Sequence, residues 1–306
     1  MSVIVPAYNA AAYVAEAVDS VLAQDYAQVE VIVVNDGSKD NTLDVLRGYG
    51  DRIRVIDQAN AGPPRARNAG LAEVRGEFVA FLDADDIWLP TKLSAQVAHL
   101  RANPDVGTVF TRWHVWAPDA DGVFRIPEVS PVPVPGGPVV PERSGWMYTR
   151  LLLECHLLTT TVMMRMSMVD EIGGFDVDLF NGDDYDFWLR ASRAAKVDKL
   201  DGIGAYYRVV QGSVSRKARP VNFERVVVER ALKRFGLTDP KSGTALDANV
   251  MRDHLDALTL QFAYDHLMAG DPAVAWAGYI EVLGHHPFRI KLWPAAARAL
   301  AKRATA

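Results

Sequence analysis

The sequence predicts an α/β fold in which helices flank a mostly parallel central sheet. The first hundred residues alternate between short apolar runs and segments whose apolar residues have helical spacing. The run "VEVIVV" at 29–34 is continuously apolar, as expected of a strand that is covered on both faces. Strands that alternate with helices indicate a parallel sheet between two helical layers.

The elements of the N-terminal half follow one another at short intervals. Strands are expected at 2–6, 29–34, 53–57 and 77–83. A helix is expected between the first two strands, and Asn9 is expected to cap it. Its apolar stripe consists of Val14, Ala17, Val18, Val21 and Leu22. Further helices are expected at 43–50, 64–74 and 89–102.

The pattern is less regular after the first hundred residues. Strands are expected near 106–113, at 157–165 and at 205–210, and helices near 167–175 and 183–195. Residues 117–145 contain seven of the 17 prolines, which is typical either of a surface loop or of a flap over a bound acceptor. From residue 222 onward the pattern is helical. We therefore expect one domain at 1–221, with halves 1–105 and 106–221, and a helical extension at 222–306.

The composition limits the classes of function. Thirty-three Lys and Arg against 38 Asp and Glu give a net charge of −5, which argues against a nucleic-acid binder. The single cysteine, Cys155, excludes a disulfide framework. The sequence has neither a basic leader nor an uninterrupted apolar run long enough to span a membrane, so a cytoplasmic location is expected.

Carboxylates follow the fourth predicted strand in the motif "DADD" at 83–86. Magnesium-type sites use one or two protein carboxylates and complete the shell with phosphate oxygens and water. The alternative is an acidic turn in which Asp86 caps the next helix. In an open α/β sheet, ligands bind beyond the carboxyl ends of the strands, which is where this motif lies.

Two more acidic motifs are candidates for the same edge. Asp36, in "NDGS", follows the second strand and could accept hydrogen bonds from a nucleobase or ribose, although Asp-Gly is also a plain turn signal. Asp183 and Asp184 precede a predicted helix, where they could serve only the helix terminus. A carboxylate at that position could also be a general base for an alcohol nucleophile. No dinucleotide fingerprint or phosphate-binding P-loop pattern is present.

Taken in order, six stretches resemble the family 2 glycosyltransferases, which are inverting enzymes with the GT-A fold. They are "VIVPAYNAAAYVAEAVDSVLAQ", "VEVIVVNDGSKDNT", "NAGPPRARNAGL", "EFVAFLDADD", "IGGFD" and "DDYDFWLR". The resemblance covers roughly residues 1–215. It implies a Rossmann-like sheet with the helical segment as a C-terminal extension, and an enzyme that moves a sugar from a nucleotide-diphosphate sugar to an acceptor hydroxyl.

The resemblance also implies a role for each matching residue. The nucleotide would be contacted by Pro6, Ala7, Tyr8, Asp36 and Arg67. Asp83 would approach the ribose or sugar, Asp85 would bind Mg²⁺ or Mn²⁺, and Asp184 would be the catalytic base. Asp183 and Gly174 would lie on the acceptor side.

Two positions depart from the family pattern. Asp183 stands where Glu is usual. Val210 stands where related sequences often carry a histidine after the "YR" pair, which lowers the expected contribution of that loop to metal binding.

The acceptor would be a glycan, a lipid-linked sugar or a small molecule in polysaccharide, cell-envelope glycan or glycolipid synthesis. A non-catalytic sugar-nucleotide binding or scaffold protein is the alternative. A sugar nucleotidyltransferase is disfavoured because the first loop is not rich in glycine and basic residues. From residue 282 the chain has five basic and no acidic side chains, so this tail either packs as a helical appendage or contacts an anionic membrane.

Overall fold

The computed structural model describes residues 1–134, 136–179, 181–210 and 219–305. The chain divides into two compact units, Met1–Val210 with Asp239–Ser242, and Gln211–Thr238 with Gly243–Ala306. The domain boundary that the sequence predicts after residue 221 stays a prediction.

The first unit is built around one mixed sheet. Its strands are β1 (Ser2–Ala7), β2 (Glu30–Asp36), β3 (Arg54–Gln58), β4 (Phe78–Phe81), β5 (Ile87–Trp88), β6 (Val106–Trp116), β7 (Met163–Arg165) and β8 (Lys196–Arg208). Over the described residues the strand order is β3-β2-β1-β4-β7-β6-β8-β5. Strands β3, β2, β1 and β4 are parallel, as are β6 and β8, whereas β7 and β5 run antiparallel to their neighbours. This is the mostly parallel α/β sheet that the sequence predicts.

Helices flank the sheet in this unit. They are α1 (Val14–Leu22), α2 (Thr42–Arg47), α3 (Pro63–Leu71), α4 (Lys92–Ala102), α5 (Tyr148–Leu151), α6 (Met166–Ile172) and α7 (Asp183–Ala194). The stripe of α1 is buried at Val14, Ala17, Val18 and Val21, in the same apolar cluster as Val3 and Val5 of β1. Burial of each of these valines contributes about 1.5–3 kcal/mol to folding.

Three local expectations are wrong in detail. Asn9 does not cap α1, which begins only at Val14; Asn9 has a positive φ of 50°, and its Oδ1 accepts a hydrogen bond from the Lys39 N–H at 2.8 Å. The strand expected at 157–165 is reduced to β7, because Thr159–Thr161 forms a 3₁₀ turn in which Thr161 Oγ1 donates to Leu158 O. The final strand, β8, is longer than expected.

The proline-rich segment 117–145 is attached to β8 over much of its described length. Isolated bridges join Pro131 to Ile203 and Val139 to Leu200. The Tyr206 hydroxyl donates to Pro127 O at 2.8 Å, and Val132 is buried. These contacts hold the described part of the segment against β8.

The second unit is helical, with α8 (Phe223–Phe235), α9 (Ala248–Ala269), α10 (Pro272–His285) and α11 (Trp293–Thr305). Asn222, Asp247 and Asp271 cap α8, α9 and α10 by accepting backbone N–H bonds. The core of this unit contains Ala263, Leu267, Ala275, Tyr279, Leu283, Ala296 and Ala299. In the part of the chain that the structure describes, no helix is both long and apolar enough to cross a membrane.

Candidate active site

The carboxyl ends of β1, β2 and β4 lie at one edge of the sheet, because these strands are parallel neighbours. Pro6 and Ala7 end β1, and the Tyr8 side chain that follows is 48% exposed. Asp36 ends β2, and Asp83 lies two residues beyond β4. Most of the residues that would contact the nucleotide according to the family resemblance therefore lie at this edge.

Asp36 is buried and fixes the loop that leads into α3. Its Oδ1 accepts hydrogen bonds from Gln58 Nε2 at 2.7 Å and from the Ala61 N–H at 2.9 Å. Its Oδ2 accepts from the Gly62 N–H at 2.8 Å. A carboxylate offers about four acceptor sites, so Asp36 can anchor this loop and still accept from a ligand.

Arg67, on α3, joins two of the acidic motifs. Its Nη2 lies 3.2 Å from Asp83 Oδ1, and its Nη1 lies 2.8 Å from Asp183 Oδ2. Burial alone would lower the pKa of Arg67, but the charges of Asp83 and Asp183 outweigh it and raise the pKa. This guanidinium therefore stays charged and links the end of β4 to the start of α7.

The "DADD" motif forms a tight turn in which the Asp86 N–H donates to Asp83 O at 3.0 Å. Burial, and then the charge of Asp83, raise the pKa of Asp85 to about 6. The Asp86 carboxylate points inward, and its Oδ1 accepts from the Arg208 N–H at 2.9 Å. Asp86 is not a helix cap, since α4 begins at Lys92.

The donor set at this turn suits a hard divalent cation. Burial, and then the charge of Asp83, make the Asp85 carboxylate costly to ionise, and a bound cation would offset both effects. Asp83 keeps 30% of its side chain exposed. Oxygen ligands of this kind are those that Mg²⁺ and Mn²⁺ prefer.

The Arg208 side chain contacts the "DADD" turn, and no role for this residue was expected from the sequence. Its Nε donates to Asp85 O at 2.7 Å, and its Nη2 donates to Glu16 Oε2 at 2.5 Å. The guanidinium carbon lies 4.1 Å from the centre of the Trp116 ring, with the rings of Tyr13 and Phe124 at 4.9 Å. The one sequence signal was the "YR" pair at the end of β8.

Asp183 and Asp184 occupy the first turn of α7, where a helix terminus favours negative charge. Burial is the main reason that the pKa of Asp183 rises to about 6, against the lowering effect of Arg67. Asp184 Oδ2 accepts from Thr159 Oγ1 at 3.0 Å, and its Oδ1 accepts from the Tyr185 N–H at 2.8 Å. Thr159 is a further residue that sequence reasoning missed, since the run "TTT" reads as strand.

Gly174 packs against α3. A Cβ at this position would lie 2.4 Å from Asn68 Oδ1. Asn68 exchanges two hydrogen bonds with the backbone of Phe175, both at 2.8 Å, and Arg190 Nη2 donates to Gly174 O at 2.8 Å. The glycine therefore permits the segment before α7 to approach α3.

A second group of titratable side chains lies in the helical unit. Asp253, Asp256 and His286 place ligand atoms within 4.8 Å of one another. Asp256 is buried, and its two oxygens lie 2.9 Å from His285 Nδ1 and from His286 Nε2. These bonds account for the buried carboxylate without a metal ion.

Comparison with known proteins adds sequence and fold relatives. The family model described as Glycosyl transferase family 2 matches residues 2–125. The UDP-Glc:alpha-D-GlcNAc-diphosphoundecaprenol beta-1,3-glucosyltransferase WfaP of Escherichia coli is 30% identical over 222 residues, covering 70% of this chain and 79% of that protein. Other curated relatives, 34% identical over 220 or 221 residues, are much longer, and the chain spans only 30–35% of their length.

Two solved structures share the fold. S. aureus TarS, in complex with UDP-GlcNAc, has a TM-score of 0.59 at 22% identity, covering 99% of this chain and 80% of that one. The mannosyltransferase PcManGT of Pyrobaculum calidifontis, in complex with GDP-Man and Mn²⁺, has a TM-score of 0.58 at 19% identity, covering 99% and 86%. This likeness confirms the GT-A fold expected from the sequence.

Proposed function

The chain belongs to glycosyltransferase family 2, and on that basis we propose that it moves a sugar from a nucleotide-diphosphate sugar to an acceptor hydroxyl, with inversion at the anomeric carbon. The observation that supports this most is the double contact of Arg67 with Asp83 and Asp183. Because of it, the proposed donor side and the proposed acceptor side are parts of one site.

The donor is assigned to the edge formed by β1, β2 and β4. Its nucleoside would be contacted by Pro6, Ala7, Tyr8 and Asp36. Arg67 would also contact the nucleotide, and Asp83 would approach the ribose or sugar. The exposed Tyr8 ring and the buried, loop-anchoring Asp36 are suited to these tasks, since one offers a stacking face and the other a fixed acceptor.

Asp85 would hold Mg²⁺ or Mn²⁺ together with the diphosphate. When bound, such a cation neutralises the negative charge that develops on the departing diphosphate. The Mn²⁺ in the PcManGT complex and the oxygen ligands of the "DADD" turn support this assignment. Arg208 would keep the turn in position from below.

Asp184 would act as the base. Its carboxylate would take the proton of the acceptor hydroxyl while that oxygen attacks the anomeric carbon from the face opposite the diphosphate. The bond from the anomeric carbon to the diphosphate oxygen would break, and charge at the carbon would resemble an oxocarbenium ion. The hydrogen bond from Thr159 fixes the carboxylate, and Asp183 and Gly174 would shape the acceptor side.

The acceptor is proposed to be a glycan, a lipid-linked sugar or a small molecule in cell-envelope or polysaccharide synthesis. The name of WfaP includes a diphosphoundecaprenol-linked sugar, which supports the lipid-linked class. A peripheral contact with the membrane would fit that class, and the expected cytoplasmic location stays a prediction.

Thermal unfolding in the presence of nucleoside diphosphates and their sugars, with and without Mn²⁺, tests this function. A ligand at about 100 times its dissociation constant should add about 2.7 kcal/mol to the free energy of unfolding. One nucleotide should stabilise the protein only with metal, and its sugar should then be transferred to an added acceptor. Nucleotide binding without any turnover would favour a sugar-nucleotide binding protein instead.

A further inference from the structure

The connection between α10 and α11 exposes large apolar side chains. Phe288 is 92% exposed and Ile290 is 74% exposed, the highest values among the exposed large apolar residues in the described part of the chain. Trp293 and Leu300, on α11, are 49% and 46% exposed. Single exposed apolar residues are ordinary, but four in a segment of 13 residues indicate a surface that another apolar phase covers.

This surface is an ordered part of the helical unit. The Ile290 N–H donates to Phe288 O at 2.8 Å and the Leu292 N–H donates to Arg289 O at 2.9 Å, which closes a 3₁₀ turn. Leu292 packs on the unit core, and Trp293 Nε1 donates to Pro287 O at 3.3 Å. Because Leu292 anchors the turn, Phe288 and Ile290 project from a fixed base.

Basic side chains alternate with the apolar ones. Arg289 and Lys291 flank Ile290, and Arg298 and Arg303 are exposed further along α11. Arg289 is partly neutralised, since its Nη2 lies 3.5 Å from Asp253 Oδ1. The sequence from 282 to the end contains no Asp or Glu. Exposed apolar side chains between cationic ones suit an anionic bilayer. The apolar side chains would enter the boundary between headgroups and acyl chains, and the cations would contact lipid phosphates.

A second copy of this chain is a poorer match for this surface. In a twofold contact both copies would bring Lys291 into the interface, and the sequence from 282 onward supplies no carboxylate to pair with it. A nucleic acid would neutralise the cations but would offer no apolar phase to Phe288 and Ile290.

We propose that the 288–300 surface, formed by Phe288, Arg289, Ile290, Lys291, Trp293 and Leu300, docks the protein on anionic lipid membranes, with Arg298 adding positive charge from another side of α11. Docking would bring the enzyme to a lipid-linked acceptor, and only this purpose rests on the proposed function. Membrane binding itself is independent of sugar transfer.

Vesicle co-sedimentation of the full chain tests the proposal. Wild type should bind vesicles that contain phosphatidylglycerol and should bind pure phosphatidylcholine vesicles far less, and added salt should weaken the binding. The double variant Phe288→Ala/Ile290→Ala and the double variant Lys291→Glu/Arg298→Glu should each reduce the bound fraction at least about fivefold. Val250→Ser, at another exposed apolar position of the same unit, should bind like wild type.

The same experiment separates the other outcomes. No binding of wild type to anionic vesicles, or equal binding by Phe288→Ala/Ile290→Ala, would overturn the proposal. If that variant instead converts a dimer to a monomer in sedimentation velocity, the surface binds a second copy. Asp184→Asn should bind vesicles like wild type, so a failure of sugar transfer leaves this test intact.

Discussion

Thr159 Oγ1 donates a hydrogen bond to Asp184 Oδ2 at 3.0 Å, joining a 3₁₀ turn to the first turn of α7 across 25 residues of sequence. Thr159 is buried, and Asp184 is partly exposed. This arrangement fixes one oxygen of the carboxylate from the protein side. We infer that Thr159 is a positioning residue for Asp184.

Thr159→Val should therefore slow transfer without weakening donor binding. Losing a hydrogen bond to a charged group costs about 1.5–3 kcal/mol, so kcat should fall at least about tenfold. The KM for the donor should stay near the wild-type value. Thr159→Ser, which keeps the hydroxyl, should restore most of kcat, and an unchanged kcat in Thr159→Val would exclude the positioning role.

Asp184→Asn should abolish most transfer and preserve nucleotide binding. Asparagine keeps the shape but cannot take a proton, and a positioned base typically contributes about 10²–10⁴-fold to the rate. Turnover and nucleotide affinity are measured on the same preparation. Asp170→Asn, at an exposed position of α6, is the matched control and should keep both. Transfer at near wild-type rate in Asp184→Asn would mean that another group is the base.

Asp85→Ala should remove the dependence of nucleotide affinity on metal. In wild type, Mn²⁺ should tighten the binding of the nucleoside diphosphate, because a cation held by Asp85 would offset the repulsion between that carboxylate and the phosphates. In the variant, calorimetric titrations with Mn²⁺ and with chelator should give the same affinity. Asp178→Ala, at an exposed position outside the site, should behave like wild type. A metal effect that survives in Asp85→Ala would assign the cation to other ligands.

The sequence predicted the elements that depend on local pattern and missed contacts between distant segments. Strands β1, β2 and β3 appear where their apolar runs lie, because periodicity is a local property. Arg208 reaches Glu16 across 192 residues and the Asp85 carbonyl across 123, so no local signal marks its role. No local signal marks Lys92 either, and its side chain is completely buried.

Arg208 should prove essential to the stability of the "DADD" turn. Arg208→Met removes the bond to Asp85 O and the stacking on Trp116, and we expect a loss of about 2–3 kcal/mol in the free energy of unfolding. Glu16→Gln removes only the negative charge of the ion pair, and the Glu16 side chain is 53% exposed. This change should lower the free energy of unfolding by less than about 1 kcal/mol. Urea unfolding compares the two. Equal losses would locate the stabilisation in the ion pair rather than in the turn and the ring.

Because of Lys92, the free energy of unfolding of the first unit should depend on pH. Its Nζ donates to Gln96 Oε1 at 2.8 Å and lies 3.8 Å from the centre of the Trp88 ring, with no carboxylate in salt-bridge range among the described residues. Burial lowers the pKa of Lys92 well below its usual value, so above that lowered pKa the folded state holds a neutral amine, which unfolding protonates.

The sign of the pH effect follows from proton binding. Between the lowered folded pKa and the unfolded value of about 10.4, the unfolded state binds more protons, so stability rises with pH. Between those two pKa values, the free energy of unfolding of wild type should therefore rise relative to that of Lys92→Met, by up to about 1.4 kcal/mol per pH unit. Urea unfolding at several pH values measures this gain, and Lys233→Met, at an exposed position of α8, is the control. A difference that does not change with pH would mean that Lys92 stays protonated in the folded protein, held by the Trp88 ring and Gln96 alone.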